Sequence, residues 1–293
     1  MRLAVIYNPA AGLRQRRVYL NVLEQLRSQD CDILEMPTRH AGHGEAIARR
    51  LTPATCDRVV AAGGDGTVNE VANGLLANRV GGQDLPLAIL PLGTANVLAR
   101  EIGLPRRLQS IVRFIREGQP RPVSVGRVND RHFLLMAGVG FDAHVVTGVR
   151  WPLKRRIGKL AYVVETLRQL LVYDYPEYRL QVDGQALRAC SVIVANARHY
   201  GGRYRAAPAA RLEADSLEVC LFTRKGRLHA AKYAAALVLG FLHRLPDVHY
   251  RKANCVLVEG PLQDPVQGDG DWIGTLPCEI TLCPSALTLV FPR

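Results

Sequence analysis

The sequence predicts two domains, an α/β domain followed by a β-rich domain. In the first half, short apolar runs such as residues 59–62 and 85–90 end in glycine-containing turns, and apolar residues at helical spacing follow. This order is typical of an open, mostly parallel sheet. After residues 118–122 the pattern changes to short extended runs separated by turns, which favours a β-sandwich or barrel. We therefore predict domains at 1–121 and 122–293, with the last residues free to pack back on the first domain.

Each element of the first domain has its own signal in the sequence. Apolar runs bounded by turn residues predict strands at residues 3–7, 32–36, 59–62 and 85–90. Apolar residues at helical spacing predict helices at residues 18–26, 45–51, 68–76 and 108–116. In the second domain we predict strands at residues 122–128, 132–136, 177–182, 189–195, 217–223, 255–259, 279–283 and 286–291.

Bulk composition excludes several classes of protein. Of the 293 residues, 48% are hydrophobic, which excludes a disordered chain. The longest apolar run, residues 233–242, is about half the roughly 20 residues needed to cross a bilayer. The N-terminal apolar run is too short for a signal peptide and lacks a small-residue cleavage site, so we predict a cytoplasmic protein. Seven widely spaced cysteines without a Cys-x-x-Cys pair indicate reduced core residues.

The formal net charge of +12 favours anionic partners. Nucleic acid is not expected, because the sequence contains no zinc-finger spacing, helix-turn-helix pattern or basic strand with interleaved aromatic residues. Basic residues cluster at 150–168 and 198–211, as an anionic membrane surface would attract. For either cluster taken singly, an ordinary solvated basic face is an equally good interpretation.

The turn at residues 63–67, Gly-Gly-Asp-Gly-Thr, carries the strongest functional signal. Glycine tolerates positive φ and close approach of another molecule, so three glycines around Asp65 predict a tight turn with outward-pointing N–H groups. The helix that follows places its open N-terminal donors beside the turn, where an anionic phosphate is favoured. A buried strand-to-helix turn needs neither three glycines nor a carboxylate. We therefore favour phosphate binding.

Residues 63–67, with Asn69 and Glu70 following, resemble the nucleotide motif of the diacylglycerol kinase and sphingosine kinase superfamily of lipid kinases. NAD kinases share the shorter form of this motif, which alone cannot separate the two families. Residues 91–96, Pro-Leu-Gly-Thr-Ala-Asn, resemble a second lipid kinase signature that NAD kinases do not usually carry. Val97 departs from the family pattern, because many members have an aspartate there that is linked to the active-site acidic network.

The resemblance continues along the chain in family order. It implies that the Asn-Pro turn at residues 8–12 lines the nucleotide cleft and that Thr38, at the end of a strand, contacts the nucleotide. Gly138, Gly140 and Asp142 correspond to a Gly-x-Gly-x-Asp element that opens the second domain of the family and faces the cleft.

Two acidic segments of the second domain also match the family. The resemblance implies that Asp215 holds a structural magnesium ion with the backbone carbonyls of Leu212 and Leu217, although Ser216 replaces the usual glycine. Asp269 and Asp271 match a segment that activates the acceptor hydroxyl, Asp271 being one methylene shorter than the glutamate of the family. Without the resemblance, an Asp-Gly pair is most often a hairpin turn.

The resemblance therefore implies a two-domain lipid kinase with an NAD kinase-like α/β domain, a β-sandwich-like second domain and an active site in the cleft between them. The implied ATP-binding residues are Asn8, Thr38, Gly63, Gly64, Asp65, Gly66, Thr67, Asn69, Thr94 and Asn96. Asp65 would organise Mg²⁺ and the phosphates, and Asp269 or Asp271 would take the proton of the lipid hydroxyl. The lipid tails would occupy the second domain while basic surface holds the enzyme peripherally on an anionic membrane.

Several alternatives stay open. The acceptor could be diacylglycerol, a sphingoid base or a glycolipid, and a homodimer is allowed for. An NAD kinase-like phosphotransferase is one rival, and a catalytically impaired lipid-binding protein is another, suggested by Val97, Ser216 and Asp271.

Two further patterns receive structural interpretations. Apolar residues at helical spacing within 159–171 predict a core-facing helix after the basic residues 154–156, with membrane contact as the alternative. His40 and His43 are interpreted as parts of a solvated loop, because no third metal ligand lies nearby in the sequence.

Overall fold

A computed structural model describes residues 1–9, 13–78, 84–149, 158 and 160–293. The described residues divide into two compact units, which we call unit 1 (residues 1–123 and 285–293) and unit 2 (residues 124–284). Residues 10–12 of the predicted Asn-Pro turn and all five basic residues at 150–159 lie outside the described residues.

Unit 1 alternates strands and helices. Its elements are β1 (Arg2–Tyr7), α1 (Leu13–Arg27), β2 (Asp32–Pro37), α2 (His43–Ala48), β3 (Arg58–Gly63), α3 (Asp65–Ala77), β4 (Leu87–Pro91), α4 (Val97–Glu101) and α5 (Leu108–Glu117). The strands form a parallel sheet in the order β2-β1-β3-β4. All six residues of β3 are buried, as expected for a central parallel strand covered on both faces.

The register of this sheet aligns the carboxyl ends of its strands. Tyr7 pairs with Pro37 on one side and Ala62 on the other, and Gly63 pairs with Pro91. The loops that follow β1, β2, β3 and β4 therefore begin at one edge of the sheet, which is where open parallel sheets bind ligands.

Unit 2 is dominated by antiparallel strands. The remaining elements are β5 (Gln119–Val128), β6 (Arg131–Phe133), β7 (Met136–Gly140), α6 (Phe141–Gly148), α7 (Leu160–Val172), β8 (Tyr178–Val182), β9 (Gln185–Ala189), β10 (Ser191–Ala195), β11 (His199–Tyr200), β12 (Tyr204–Arg205), β13 (Leu217–Phe222), α8 (Arg227–Leu239), a 3-10 turn (Leu242–Arg244), β14 (Val248–Ala253), β15 (Cys255–Glu259), β16 (Pro265–Gly268), β17 (Asp271–Thr275) and β18 (Cys278–Phe291). β5 begins in unit 1, and β18 ends there, where Leu289 pairs with Leu87 of β4.

Two layers of strands enclose the core of unit 2. One sheet has the order β14-β13-β10-β7-β16-β17, and the second layer contains β18, β15, β8 and β9. Val139, Val192 and Val219 from the first layer share one buried cluster with Leu180 and Val256 from the second. This packing of two apolar faces is a β-sandwich, so the predicted fold class is confirmed.

The structure corrects several predicted element boundaries. α1 begins five residues before the predicted start at residue 18, because its arginine-rich first turns carry no apolar periodicity. The predicted strand at residues 132–136 is divided between β6 and β7, and the one at 189–195 between β9 and β10. The strands predicted at 279–283 and 286–291 are one continuous strand, β18.

Other elements have no counterpart among the predictions. α8 and the strands β14, β16 and β17 are examples. Among the described residues, no helix is both long enough and apolar enough to span a bilayer.

Candidate active site

Backbone hydrogen bonds at the carboxyl edge of the unit 1 sheet fix the residues that follow its strands. The Asn8 N–H donates to the Ala62 carbonyl at 3.1 Å, and the Thr38 N–H donates to the Tyr7 carbonyl at 2.8 Å. Asn8 and Thr38 therefore continue the sheet beyond the ends of β1 and β2, and both predicted site residues lie at this edge.

The glycine turn joins β3 directly to α3. Gly64 is extended, with φ −88° and ψ −176°, and α3 starts at Asp65. The first bond along α3 is donated by the Val68 N–H to the Gly64 carbonyl at 3.1 Å, so the amides of residues 65–67 precede the helical ladder. Gly64 has no side chain with which to cap this end. The N-terminus of a 13-residue helix is thus left open to an anion.

None of the three glycines has positive φ, which corrects one reason for the prediction, and at Gly63 and Gly64 the glycine provides space instead. Gly63 ends β3, Gly64 is extended and Gly66 is helical. A Cβ on Gly63 would lie 2.4 Å from Thr67 Oγ1. Thr67 is itself buried, and its hydroxyl accepts a 3.4 Å hydrogen bond from Asn8 Nδ2. The turn therefore brings together Asn8, Gly63 and Thr67.

A second turn, after β4, packs against the first. A Cβ on Gly93 would lie 2.4 Å from Gly64 Cα. Asn96 adopts a left-handed conformation with φ 48°, donates from Nδ2 to the Gly93 carbonyl at 2.9 Å and accepts from the Gly93 N–H at 2.9 Å. Asn96 therefore shapes this turn, while Thr94 is exposed at its tip.

Asp65 links the two turns. Its Oδ1 accepts hydrogen bonds from the backbone amides of Val97 at 2.7 Å and Leu98 at 3.3 Å, at the start of α4. Burial raises the pKa of the Asp65 carboxyl, and the amides of Leu98 and Val97 partly offset that rise by stabilising the charged form. Val97 contributes its amide, and its side chain is buried. At this edge Asp65 acts as a positioning residue.

Glu70 has a role that sequence reasoning did not assign. From α3, its carboxylate accepts hydrogen bonds from the Gly42 N–H at 2.8 Å and the Gly44 N–H at 3.0 Å, which holds the loop after β2. The rings of His40 and His43 stack in this loop with centroids 5.1 Å apart. Within the described ranges, no group of three or more His, Cys, Asp or Glu side chains could hold a metal ion.

In unit 2, Asp269 and Gly270 form the turn between β16 and β17. Both have positive φ, 53° and 90°, as a type I′ hairpin requires, so the hairpin interpretation is correct. The Asp269 carboxylate accepts hydrogen bonds from the amides of Leu134, Leu135 and Met136 at 2.7, 2.8 and 3.1 Å. Asp271, by contrast, is exposed at the start of β17. Of the two carboxylates, Asp271 is therefore the more accessible.

A buried polar cluster lies behind this hairpin. Asp142 accepts hydrogen bonds from the Tyr200 hydroxyl and, at 2.7 Å, from Gln267 Nε2, while Gln267 Oε1 accepts from the Gly270 N–H at 3.0 Å. Burial raises the pKa of both the Asp142 carboxyl and the Tyr200 hydroxyl. Gly138 leaves room for the cluster, because a Cβ there would lie 2.2 Å from Asp142 Oδ2.

Asp215 is exposed beside a cavity of about 140 Å³ in unit 2. Leu217 and Glu218 also line this cavity. The Glu218 carboxylate is buried and accepts hydrogen bonds from the amides of Ala209 and Ala210, at 2.9 and 2.8 Å. The Leu212 carbonyl accepts a 2.7 Å bond from the Ser124 N–H. The predicted metal residues thus lie in the segment that leads into β13, where the side chains of both Glu213 and Asp215 are exposed.

Comparison with known proteins identifies the family. Residues 2–128 match the diacylglycerol kinase catalytic domain. Residues 136–291 match the YegS C-terminal NAD kinase beta sandwich-like domain. The chain belongs to the diacylglycerol kinase family. Over 300 residues it is 30% identical to the diacylglycerol kinase of Bacillus subtilis (strain 168), a match that covers 100% of this chain and 97% of that protein.

Further relatives agree with this assignment. The diacylglycerol kinase of Mycobacterium tuberculosis (strain ATCC 25618 / H37Rv) is 28% identical over 283 residues, which covers 92% of this chain and 88% of that protein. The crystal structure of a diacylglycerol kinase from Bacillus anthracis str. Sterne has a TM-score of 0.78 and 25% identity, covering 99% of this chain and 96% of that one. The predicted lipid kinase family is therefore confirmed, and the chain is a kinase-type transferase.

Proposed function

We propose that the protein is an ATP-dependent lipid kinase that transfers the γ-phosphate of ATP to a hydroxyl group of diacylglycerol or a related lipid. The observation that carries this proposal is the open N-terminus of α3, which directly follows a glycine turn at the carboxyl edge of a parallel sheet. The lipid acceptor is suggested by relatives that are named diacylglycerol kinases.

ATP phosphates bind at the amides of residues 65–67, where the dipole of α3 and the backbone donors that precede its hydrogen-bond ladder favour negative charge. Close packing of Gly64 against Gly93 leaves main chain rather than side chains at this surface. Asn8 donates to Thr67 of this turn, Thr38 follows β2 at the same sheet edge and Asn69 lies in the first turns of α3. The exposed hydroxyl of Thr94 offers a further donor. Asp65 holds the two turns in register through the amides of Val97 and Leu98.

Asp271 accepts the proton of the lipid hydroxyl as its oxygen attacks the γ-phosphorus. The new P–O bond forms as the bond to the β-phosphate oxygen breaks, and ADP leaves. An exposed carboxylate suits this task, whereas the Asp269 carboxylate is already bound by three amides and positions the hairpin. Phosphoryl transfer depends mostly on positioning and charge neutralisation, so a preorganised hairpin is of direct value.

Mg²⁺ prefers oxygen ligands, and the loop around Asp215 offers them. Asp215 would supply a carboxylate, with the backbone carbonyls of Leu212 and Leu217 as further ligands. The exposed carboxylate and the adjoining cavity are compatible with a hydrated ion. A second Mg²⁺, bound together with ATP, would neutralise phosphate charge.

The test is phosphorylation of a lipid panel with γ-labelled ATP. Vesicles or micelles containing diacylglycerol, a sphingoid base or a glycolipid are incubated with the protein, and NAD is tested in parallel. Label in the lipid extract, lost in Asp271→Asn, supports the proposal. Labelled NADP, or ATP left unconsumed with every acceptor, would overturn it.

A further inference from the structure

Helix α7 exposes its large apolar residues and buries polar ones, which is the reverse of a core-facing helix. The exposed large apolar residues on it are Leu160, Val163, Val164, Leu167, Leu171 and Val172. Leu160 is 62% exposed and Leu171 is 77% exposed. Positions 160, 163, 164, 167 and 171 follow helical spacing, so these side chains form one apolar stripe. The prediction that this helix faces the core is wrong.

The buried side of α7 carries polar residues. Ala161, Glu165 and Gln169 are its buried positions. The Glu165 carboxylate accepts hydrogen bonds from Gln169 Nε2 at 2.8 Å and Arg168 Nη2 at 2.7 Å. Polar groups are not buried without such partners, because each unsatisfied one is costly.

The packing of Glu165 fixes the rotation of α7 about its axis. A Cβ on Gly148, at the end of α6, would lie 2.1 Å from Glu165 Oε1. The missing side chain at Gly148 therefore makes room for the carboxylate. Because this fit holds the polar side of α7 inward, the opposite apolar stripe faces outward.

The sequence next to this stripe is strongly basic. Residues 150–159 contain Arg150, Lys154, Arg155, Arg156 and Lys159 and no acidic residue. On α7 itself, Arg168 is 56% exposed and its guanidinium pairs with the Glu165 carboxylate. Apolar residues flanked by cations are what an interfacial helix presents to a bilayer containing anionic lipid. A second copy of this chain would also carry a net charge of +12, so pairing of two copies is opposed by repulsion.

We propose that the apolar stripe of α7 docks on a bilayer that contains anionic lipid, its leucines and valines entering the interface between headgroups and acyl chains. The proposal rests on the proposed function only in that a lipid kinase meets its acceptor in a membrane; binding itself requires no ATP. α6 packs against both α7 and β17, the strand that begins with Asp271. The docking helix and the strand of the proposed base therefore both pack against α6.

The test is partition of the full-length protein onto vesicles of phosphatidylcholine, with and without one-third phosphatidylglycerol, in the absence of ATP. We expect the wild type to bind the anionic vesicles and to dissociate as salt is raised. Leu167→Ser/Leu171→Ser should bind at least about tenfold more weakly, because two leucines no longer enter the bilayer. The matched control is Leu20→Ser, on an exposed leucine of α1 in unit 1. It should bind like the wild type.

Two further measurements keep the outcomes distinct. Leu171→Trp should show a blue-shifted emission on anionic vesicles, and all variants should match the wild type in thermal unfolding and in phosphorylation of an acceptor presented in detergent micelles. No vesicle binding by the wild type, equal binding by the double variant, or a dimer that becomes monomeric in the double variant would each overturn the docking proposal. Vesicle binding without lipid phosphorylation would overturn the proposed function and would still support the docking proposal.

Discussion

Oδ1 of Asp65 lies 2.7 Å from the amide nitrogen of Val97, so the first residue of α3 caps the first residue of α4. Because of this bond, the two glycine turns of unit 1 form one structure. The Asp65 carboxylate caps the N-terminus of the short helix α4. At the N-terminus of α3, Gly64 provides no side-chain cap. Damage to either turn should therefore disturb the other.

Removing the carboxylate of Asp65 should separate the two turns. In Asp65→Ala, we expect kcat/KM for ATP to fall at least about 100-fold, as displacement of a positioning element can cause. Loss of the cap should cost roughly 0.5–2 kcal/mol of stability. Asp65→Asn keeps an acceptor for the Val97 amide and should lie between Asp65→Ala and the wild type. Steady-state kinetics and thermal unfolding check both variants, and equal kinetics for Asn and Ala would contradict the capping role.

Gly93 and Gly64 offer a graded test of the close approach between the turns. A Cβ on Gly93 would lie 2.4 Å from Gly64 Cα, whereas a Cβ on Gly64 would lie 3.3 Å from Gly93 Cα. Gly93→Ala must push backbone apart and should lower both ATP affinity and the unfolding temperature. Gly64→Ala should lower the unfolding temperature less. Nucleotide titration and calorimetry measure the two effects, and the reverse order of stability would contradict the packing.

Substitution of Asp269 should lower stability, whereas substitution of Asp271 should lower catalytic activity. Asp269→Asn removes a charge bound by the amides of Leu134, Leu135 and Met136, and we expect a loss of roughly 1.5–3 kcal/mol of stability. Asp271→Asn should leave the unfolding temperature unchanged and lower kcat by about 100-fold or more, as loss of a general base does. Asp271→Glu keeps the base and should retain activity. An active Asp271→Asn would remove Asp271 from the mechanism.

Gly138 should tolerate no side chain. Its Cβ would lie 2.2 Å from Asp142 Oδ2 and 2.8 Å from Gln267 Nε2, so Gly138→Ala overpacks the buried cluster and should cost roughly 1–3 kcal/mol. Gly274→Ala is the matched control on strand β17, because no atom lies within 4 Å of its Cβ position. Denaturant unfolding measures both, and equal stability of the two variants would refute the crowding argument.

The raised pKa of Asp142 makes a pH-dependent contribution to stability. Burial lifts this pKa above its ordinary value of 3.8, so the folded state holds a proton that the unfolded state releases. The contribution is fully present below the unfolded pKa and is lost as pH rises through the folded pKa. Asn does not titrate, so the stability of the wild type minus that of Asp142→Asn should decrease as pH rises from about 3.8. Unfolding midpoints measured from pH 3.5 to 7.5 provide the check, and a constant or rising difference would contradict it.

The fold class was predictable because apolar runs and glycine turns are local signals. The elements that were missed lack such signals. In β14 only Val248 and Ala253, its two end residues, are buried, so no alternation is visible. In α8 apolar residues occur on every side, while only Ala230, Tyr233 and Ala236 are buried. Sequence periodicity could not separate the buried face from the exposed one.

Site residues could be predicted where the backbone allows only one residue type, such as glycine. They could not be predicted where a hydrogen-bond partner is far away in the sequence. The glycines of residues 63–66 were identified, although none has positive φ and close packing explains Gly63 and Gly64. The partner of Asp65 is a backbone amide 32 positions away, and any residue other than proline could supply it. Tyr200, which donates to Asp142, has no motif of its own, whereas Gln267 directly precedes the acidic segment and could have been noticed there.

The path of β18 has a consequence for synthesis. Residues 285–293 belong to unit 1, where Leu289 pairs with Leu87, yet the ribosome makes them after all of unit 2. Unit 1 is translated first, but the edge of β4 that pairs with β18 stays unpaired until unit 2 and residues 285–293 have been synthesised. Nascent chains stalled before residue 285 should therefore depend on chaperones until translation resumes.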